Sequence, residues 1–353
     1  MLEPYRVLDF TDERGELGPM LLGDLGADVI RVEPPEGSAA RRCAPFDERQ
    51  PEPSLASLQF QAFNRNKRSI VLDPDSADDR ELLLALIRSV DFIFESARPS
   101  PLARYHVDLE EVQRLNPEMV FVRLTPFGDD GPHGELVASY LVFAALGGPV
   151  ALLGAFDRAP VRITVPQVWR HAGAEAAAAA LVAHARRVRT AEGQFVDLSA
   201  QCAMTWTKLN AMDAHAIQGW DFEREGSPTQ PDVLRVENMH PTADGHMIAI
   251  PNSKLLRACT EKMIADGVAE PWLRIVDWTT YQQRILESDL QPLNLLDATD
   301  MLRRWLARYP KQELYHWGLA HGATLAPVNT LPELLELEHL QHRDYWFEPA
   351  GAS

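Results

Sequence analysis

Residues 6–33 read RVLDFTDERGELGPMLLGDLGADVIRVE, and this stretch decides the fold. Arg6 to Phe10 is a short apolar strand, Pro19 to Leu25 reads as a helix with Gly26 as its stop, and Asp28 to Glu33 is a second strand ended by Pro34-Pro35. The β-α-β pattern recurs outward from there. Ser69 to Asp73 reads as a strand, Ser76 to Ser89 as a helix with Asp79 three residues after its cap, and Asp91 to Glu95 as the next strand. Asp108 caps a short helix that Asn116-Pro117 ends, and Val120 to Leu124 follows as a strand. Strands alternating with helices predict an α/β fold with a mainly parallel, doubly wound sheet.

Further along, Val168 to Arg187 predicts a long helix whose run Ala176 to Ala180 lets another backbone approach closely. Gln194 to Ser199 reads as a strand and a further helix begins near Ala200. The polar stretch Glu223 to Pro231, with Gly226, Pro228 and Pro231, reads as a linker. Beyond it lie a strand at His246 to Ile250 and helices rich in Leu, Arg and Trp. The expected organisation is a large domain over 1–222, a smaller α+β domain over 223–322, and a segment 323–353 that returns to the large domain.

The 353 residues carry a formal charge of −17, which argues against a phosphate-tracking surface for nucleic acid. Cys43, Cys202 and Cys259 are far apart with no zinc spacing, so a metal is not expected and a reduced, cytoplasmic setting fits. The N-terminus has no basic start and apolar run of a signal peptide. Leu136 to Phe156 is uncharged and long enough to cross a bilayer, but Gly147, Gly148 and Pro149 interrupt it, so it reads as buried core and no membrane contact is expected.

The first strand-helix turn holds Gly15 and Gly18 without the G-x-G-x-x-G spacing, so a bound NAD or FAD is not indicated. No phosphate loop, H-E-x-x-H or G-x-S-x-G elbow occurs either. What does occur is a series of six segments: VLDFTDERGELGPMLLGDLGADVIRVEPPEG, FNRNKRSIVLD, FESARPSPLARY, NPEMVFVRLTPFGDDGP, TAEGQFVDLSAQ and GATLAPVNTLPELLELEHLQHRDYW. In this order and over nearly the whole chain, they resemble the family III CoA-transferases of the CaiB/BaiF type, to which α-methylacyl-CoA racemase is related.

The resemblance implies two chains threaded as interlocked rings, each with a Rossmann-like large domain that holds CoA and a small domain. It implies CoA or acyl-CoA as substrate, with no permanently bound cofactor. Carried over by position, the CoA contacts are Asn64, Asn66, Lys67 and Arg68 in the asparagine-rich turn, Ser96 and Arg98 after the next strand, and Arg104; Arg41 and Arg42 match less well. Cations there suit the phosphates of CoA. Read without the resemblance, Arg98 and Arg104 are surface charges and Asn64 and Asn66 shape a turn.

In this family an aspartate attacks the thioester, four residues before a glycine that opens the Ala-rich helix. Counting back from Gly173, the matching residue is Trp169, which has no nucleophile. The histidine of the racemase relatives is matched by Ser139. His171 and Glu175 are the nearest substitutes, yet both are turned away from Trp169 on a helix. Three readings follow: the aspartate-lacking subunit of a hetero-oligomeric CoA-transferase with an Asp-containing paralogue, an active homodimer with a relocated carboxylate, or a non-catalytic acyl-CoA-binding protein.

Overall fold

The computed structural model describes residues 1–155, 157–219, 221–222, 224, 237–286 and 293–346. The chain divides into two compact units, residues 1–153 with 159–222 and residues 154–158 with 223–353. In the first unit β1 (Arg6–Phe10), β2 (Asp28–Glu33), β3 (Lys67–Val71), β4 (Phe92–Glu95), β5 (Val120–Thr125) and β6 (Gln194–Ser199) form one sheet. Its order is β3-β2-β1-β4-β5-β6 and every pairing is parallel. The order reverses between β1 and β4, the topological switch point of a doubly wound sheet.

The strands are apolar on both faces because helices cover both. Val7, Phe92, Phe94 and Val122 pack with α1 (Leu17–Asp24), α6 (Gln167–Thr190) and α7 (Ala200–Trp206), whereas the alternate residues Leu8, Ile93 and Phe121 pack with α3 (Ala77–Ile87) and α4 (Leu109–Leu115). The predicted caps form: Ser76 Oγ accepts from the Asp79 amide at 3.2 Å and Asp108 Oδ1 from the Glu111 amide at 2.8 Å. Several boundaries differ from expectation by one to three residues, those of α1 and β3 at their starts among them. α1 starts at Leu17, since Pro19 still lies in a first turn where no amide donor is needed. β3 starts at Lys67, whose pairing with Val29 extends the strand by two residues.

The remaining helices of this unit are α2 (Leu58–Phe63), α5 (Tyr140–Leu146) and α8 (Leu209–Asp213). The uncharged stretch around α5 breaks at Gly147 and Gly148, the latter at φ +94°, before a separate turn at Pro149–Leu152. Among the described residues no helix is long and apolar enough to cross a membrane.

The second unit holds an antiparallel sheet of β7 (Met239–Pro241), β8 (His246–Ile248) and β9 (Ala326–Pro327). Its helices are α9 (Ser253–Ala265), α10 (Tyr281–Leu286), α11 (Leu295–Leu306), α12 (Lys311–His321), α13 (Leu331–Leu335) and α14 (Glu338–His342). They enclose a core around Met247, Leu256, Met263, Leu302 and Trp305. The expected return of 323–353 to the large domain is corrected here. β9 pairs with β8, and the buried Lys311 donates to Val328 O at 3.0 Å and Glu333 Oε2 at 2.7 Å, holding this segment in the second unit. Apart from Arg224, the expected linker lies outside the described residues.

α6 is seated against α1 at a backbone contact. A Cβ on Gly173 would fall 2.9 Å from Leu17 Cβ and 3.4 Å from the Gly18 nitrogen, neither of which is a flexible side-chain end. Gly173→Ala is therefore expected to destabilise the chain by ~1–3 kcal/mol, as overpacking of a close contact does, and urea unfolding will measure it.

Candidate functional site

The crevice at the switch point is bridged by side chains. Ser96, directly after β4, is fully buried; its Oγ donates to Asp12 Oδ1 at 2.8 Å and accepts from the Asp12 amide at 2.9 Å. Asp12 also accepts from Arg14 Nε at 2.8 Å. A Cβ on Gly15 would lie 2.7 Å from Ser96 Cβ, so the loop after β1 and the loop after β4 touch where a dinucleotide fold holds pyrophosphate. Ser96 thus joins two loops in this structure.

Beside it, at the ends of β1 to β3, lies a buried charge cluster. Lys67 Nζ donates to Asp9 Oδ2 at 2.8 Å, Glu16 O at 3.0 Å and Asn64 Oδ1 at 3.0 Å. Arg31 donates to Asp9 Oδ2 at 3.2 Å, Asn64 Oδ1 at 2.9 Å and Ser38 Oγ at 2.7 Å, and it lies 3.1 Å from Glu16 Oε1. Asn64 Nδ2 closes the ring by donating to Glu16 Oε1 at 2.8 Å. Burial alone would raise Asp9, but Lys67 and Arg31 hold it below the usual range, whereas burial keeps Glu16 above its ordinary value against Arg31. Two cations and two carboxylates balance. Lys67, at 1% side-chain exposure, faces this cluster rather than solvent.

The other residues of the asparagine-rich turn are on the surface. Asn66 takes φ +61° and donates to Asp24 Oδ1 at 2.8 Å, and Arg68 pairs with Asp28 at 2.7 Å. Arg104 is half exposed, 3.4 Å from Glu36. Arg41 makes two bonds of 2.6 Å to Glu33, and Arg42 donates to Glu36 O at 3.1 Å. Sequence position grouped these residues, but the fold separates Asn64 and Lys67 inside from Asn66, Arg68 and Arg104 outside.

Arg98 opens onto a cavity of about 390 Å³ that Pro99, Ser100, Arg123, Glu135 and Val137 also line. Its guanidinium bonds Asp129 and Glu135, the latter at 2.7 Å, while Arg123 bonds Glu95 and Asp129. Glu95 is fully buried, and burial raises it despite Arg123. Arg98 Nε is buried and has no acceptor. The Glu135 carboxylate is 90% exposed, so its bond to Arg98 is a surface pair of ~0–1 kcal/mol that an incoming phosphate can displace. The sequence reading passed over Arg123 and Asp129, although both stand in the quoted NPEMVFVRLTPFGDDGP segment.

At the start of α6, Trp169 is 6% exposed and packs edge-on against Phe143 with ring centroids 4.5 Å apart. His171 is exposed and Glu175 half-buried, with Glu175 raised by burial against the influence of His171. Ser139 is exposed at the cap of α5 without a side-chain capping bond. Arg170, which sequence reading missed although it adjoins Trp169, lies 3.5 Å over the Phe63 ring, and burial lowers it with only Glu16 opposing. Glu175 is on another turn of α6 from Trp169, and the buried Glu95 and Glu16 lie outside α6.

The fold and the bridged crevice define an α/β protein with a parallel six-stranded sheet that departs from dinucleotide binders at the first turn. The chain belongs to CoA-transferase family III, whose family model matches residues 2–351. It is 31% identical over 348 residues to the succinyl-CoA:(R)-benzylsuccinate CoA-transferase subunit BbsE of Thauera aromatica, covering 97% of this chain and 82% of that protein. It is 34% identical over 355 residues to the formyl-CoA:oxalate CoA-transferase of Streptomyces avermitilis, covering 95% and 82%. A crystal structure of a CaiB/BaiF family protein from Brucella suis superimposes with a TM-score of 0.83 at 25% identity, covering 99% of this chain and 89% of that one. Relatives of this chain are thus CoA-transferases that act on carboxylic acids.

Two outcomes follow from the charge geometry. Lys67→Ala leaves the two buried carboxylates Asp9 and Glu16 with Arg31 as the remaining cation of the cluster and is expected to cost ~3–5 kcal/mol in denaturant unfolding, a loss of stability that a purely ligand-facing lysine would not give. For Glu33, burial would raise the carboxyl, but Arg41, Ser69 and the Ser38 amide hold it at about 2 against an ordinary 4.5. A depressed folded value means its contribution is complete above the unfolded value and is lost as pH falls through the window from about 4.5 to about 2. Thermal unfolding across that window should fall less steeply for Glu33→Gln than for the wild-type chain.

Proposed function

We propose that this chain is the aspartate-lacking subunit of a hetero-oligomeric CoA-transferase, with a homologous partner chain that supplies the nucleophile. The observation that carries this reading is Trp169, an indole packed into the core at the position matched to the family's aspartate. The BbsE relative is itself described as a subunit, which supports the same arrangement. In the reaction the partner's carboxylate attacks the thioester carbonyl and expels CoA thiolate, leaving a mixed anhydride. The thiolate then attacks the enzyme-side carbonyl, releasing the donor acid and leaving an enzyme-CoA thioester. The acceptor carboxylate attacks that thioester to form a second anhydride, which the released thiolate converts to the new acyl-CoA and free enzyme carboxylate.

This chain's part is to bind and orient CoA. Arg98 is the favoured phosphate contact, because it lines the cavity, its Nε has no acceptor, and Glu135 is easily displaced. Of the other expected contacts, Arg68 and Arg104 are exposed cations within the same proposal, Asn66 shapes the turn beside them, and Ser96, Asn64 and Lys67 hold the loops from behind. The partner would cover apolar side chains that stand in water on the first unit, among them Val137, Leu141, Val165, Trp206 and Ile217. An interlocked pairing of chains would do so.

The test is intact-mass spectrometry after incubation with succinyl-CoA. The isolated chain is expected to show no covalent CoA adduct, and co-expression with an Asp-containing paralogue should give a co-purifying heteromer that does. An adduct on the isolated chain mapped to Glu175 or another carboxylate would replace this reading with an active homodimer.

A further inference from the structure

The second unit carries a cavity whose lining includes none of the residues proposed above for CoA. It has a volume of about 570 Å³ and is lined by Ser253, Lys254, Arg257, Trp278, Thr279 and His321, with no aspartate or glutamate among the lining residues. In a chain of net charge −17 this is a local concentration of positive charge. Lys254 and Arg257 are three residues apart on α9 and so share one face of it. Neither has a carboxylate partner among the described residues, whereas the cations around them do. Lys262 lies 3.5 Å from Asp266, Arg274 is 2.9 Å from Glu261, and Arg304 is 2.8 Å from Asp300.

Asp277, next to Trp278, is already engaged: it accepts from the Thr279 amide at 3.0 Å and from Thr280 Oγ1 at 2.9 Å, and it also accepts from Thr279 Oγ1. The wall opposite in composition is aromatic. Trp278 is half-buried and braced edge-on by Tyr281 at 5.2 Å, and His321 is stacked on Trp317 at 4.5 Å with its Nδ1 2.8 Å from Trp317 O. The first turn of the 13-residue α9 adds Ser253 to the lining, and its amides favour an anion.

We propose that this cavity of the second unit is a further anion site that takes a nucleoside phosphate. Lys254 and Arg257 meet the phosphate and the Trp278 indole offers a flat face to the base. The volume is in the range of small-molecule sites and exceeds what an isolated phosphate ion would fill.

Calorimetric titration of the whole chain with ADP, inorganic phosphate and adenosine tests this, carried out in an Arg98→Ala background so that the first-unit surface is weakened. Saturable ADP binding is expected to persist there, and adding Lys254→Ala with Arg257→Ala should weaken it about tenfold or more. Trp278→Leu should weaken ADP while leaving phosphate unchanged. All three side chains are at least partly exposed, and near-UV circular dichroism checks that the fold is intact. No saturable ADP binding, ADP binding indifferent to the double substitution, or phosphate binding as tight as ADP would each overturn the proposal. CoA titration of the wild-type chain separates the two sites: loss of CoA binding in Arg98→Ala with ADP retained supports both, and the reverse pattern overturns this one alone.

Discussion

The closed charge cluster of Asp9, Glu16, Arg31 and Lys67 is the constraint on which the first unit depends. Charges removed from water are tolerated only when paired and hydrogen-bonded, and here each ion reaches at least one of opposite sign while Asn64 donates to one side and accepts from the other. Because Asp9 is on β1, Arg31 on β2 and Lys67 on β3, the requirement ties three adjacent strands together. Glu16 and Asn64 then draw in the start of α1 and the end of α2.

The same constraint explains why the asparagine-rich turn divides into two kinds of residue. A chain passing from a helix into an edge strand alternates its side chains between the two faces of the sheet. Lys67 turns inward to Asp9 and Ser69 Oγ lies 2.5 Å from Glu33, while Arg68 turns to Asp28 at the surface. Residues that carry one motif therefore serve two ends, interior charge balance and exposed cation.

Most of the sheet was legible in the sequence because its strands are short apolar runs bounded by turn residues, and because Ser76 and Asp108 cap helices through oxygens whose positions follow from local spacing. The candidate site was less so. Nothing local in NRNKRS distinguishes a lysine facing water from one facing Asp9, a partner 58 residues away. The return segment was misread for a related reason: β9 spans only two residues, too few to show a period, and its sheet is decided by pairing with β8. Trp169, by contrast, stood out from sequence because the glycine that aligns it, Gly173, has its own steric reason to be there.

That steric reason also bears on what the indole does. Gly173 lets α6 press against α1, and this places the first turn of α6 against the sheet's apolar layer, where Val168, Trp169 and Ala172 are all buried beside Phe143. A carboxylate in such surroundings would have its ionised form disfavoured by desolvation unless a cation or several amides met it. Arg170, the nearest cation in sequence, is engaged with Phe63 instead. The environment has thus been fitted to an aromatic ring over more than one residue. Trp169 is part of the apolar core, and under the proposed reading this packing of α6 takes the place of an ionised nucleophile.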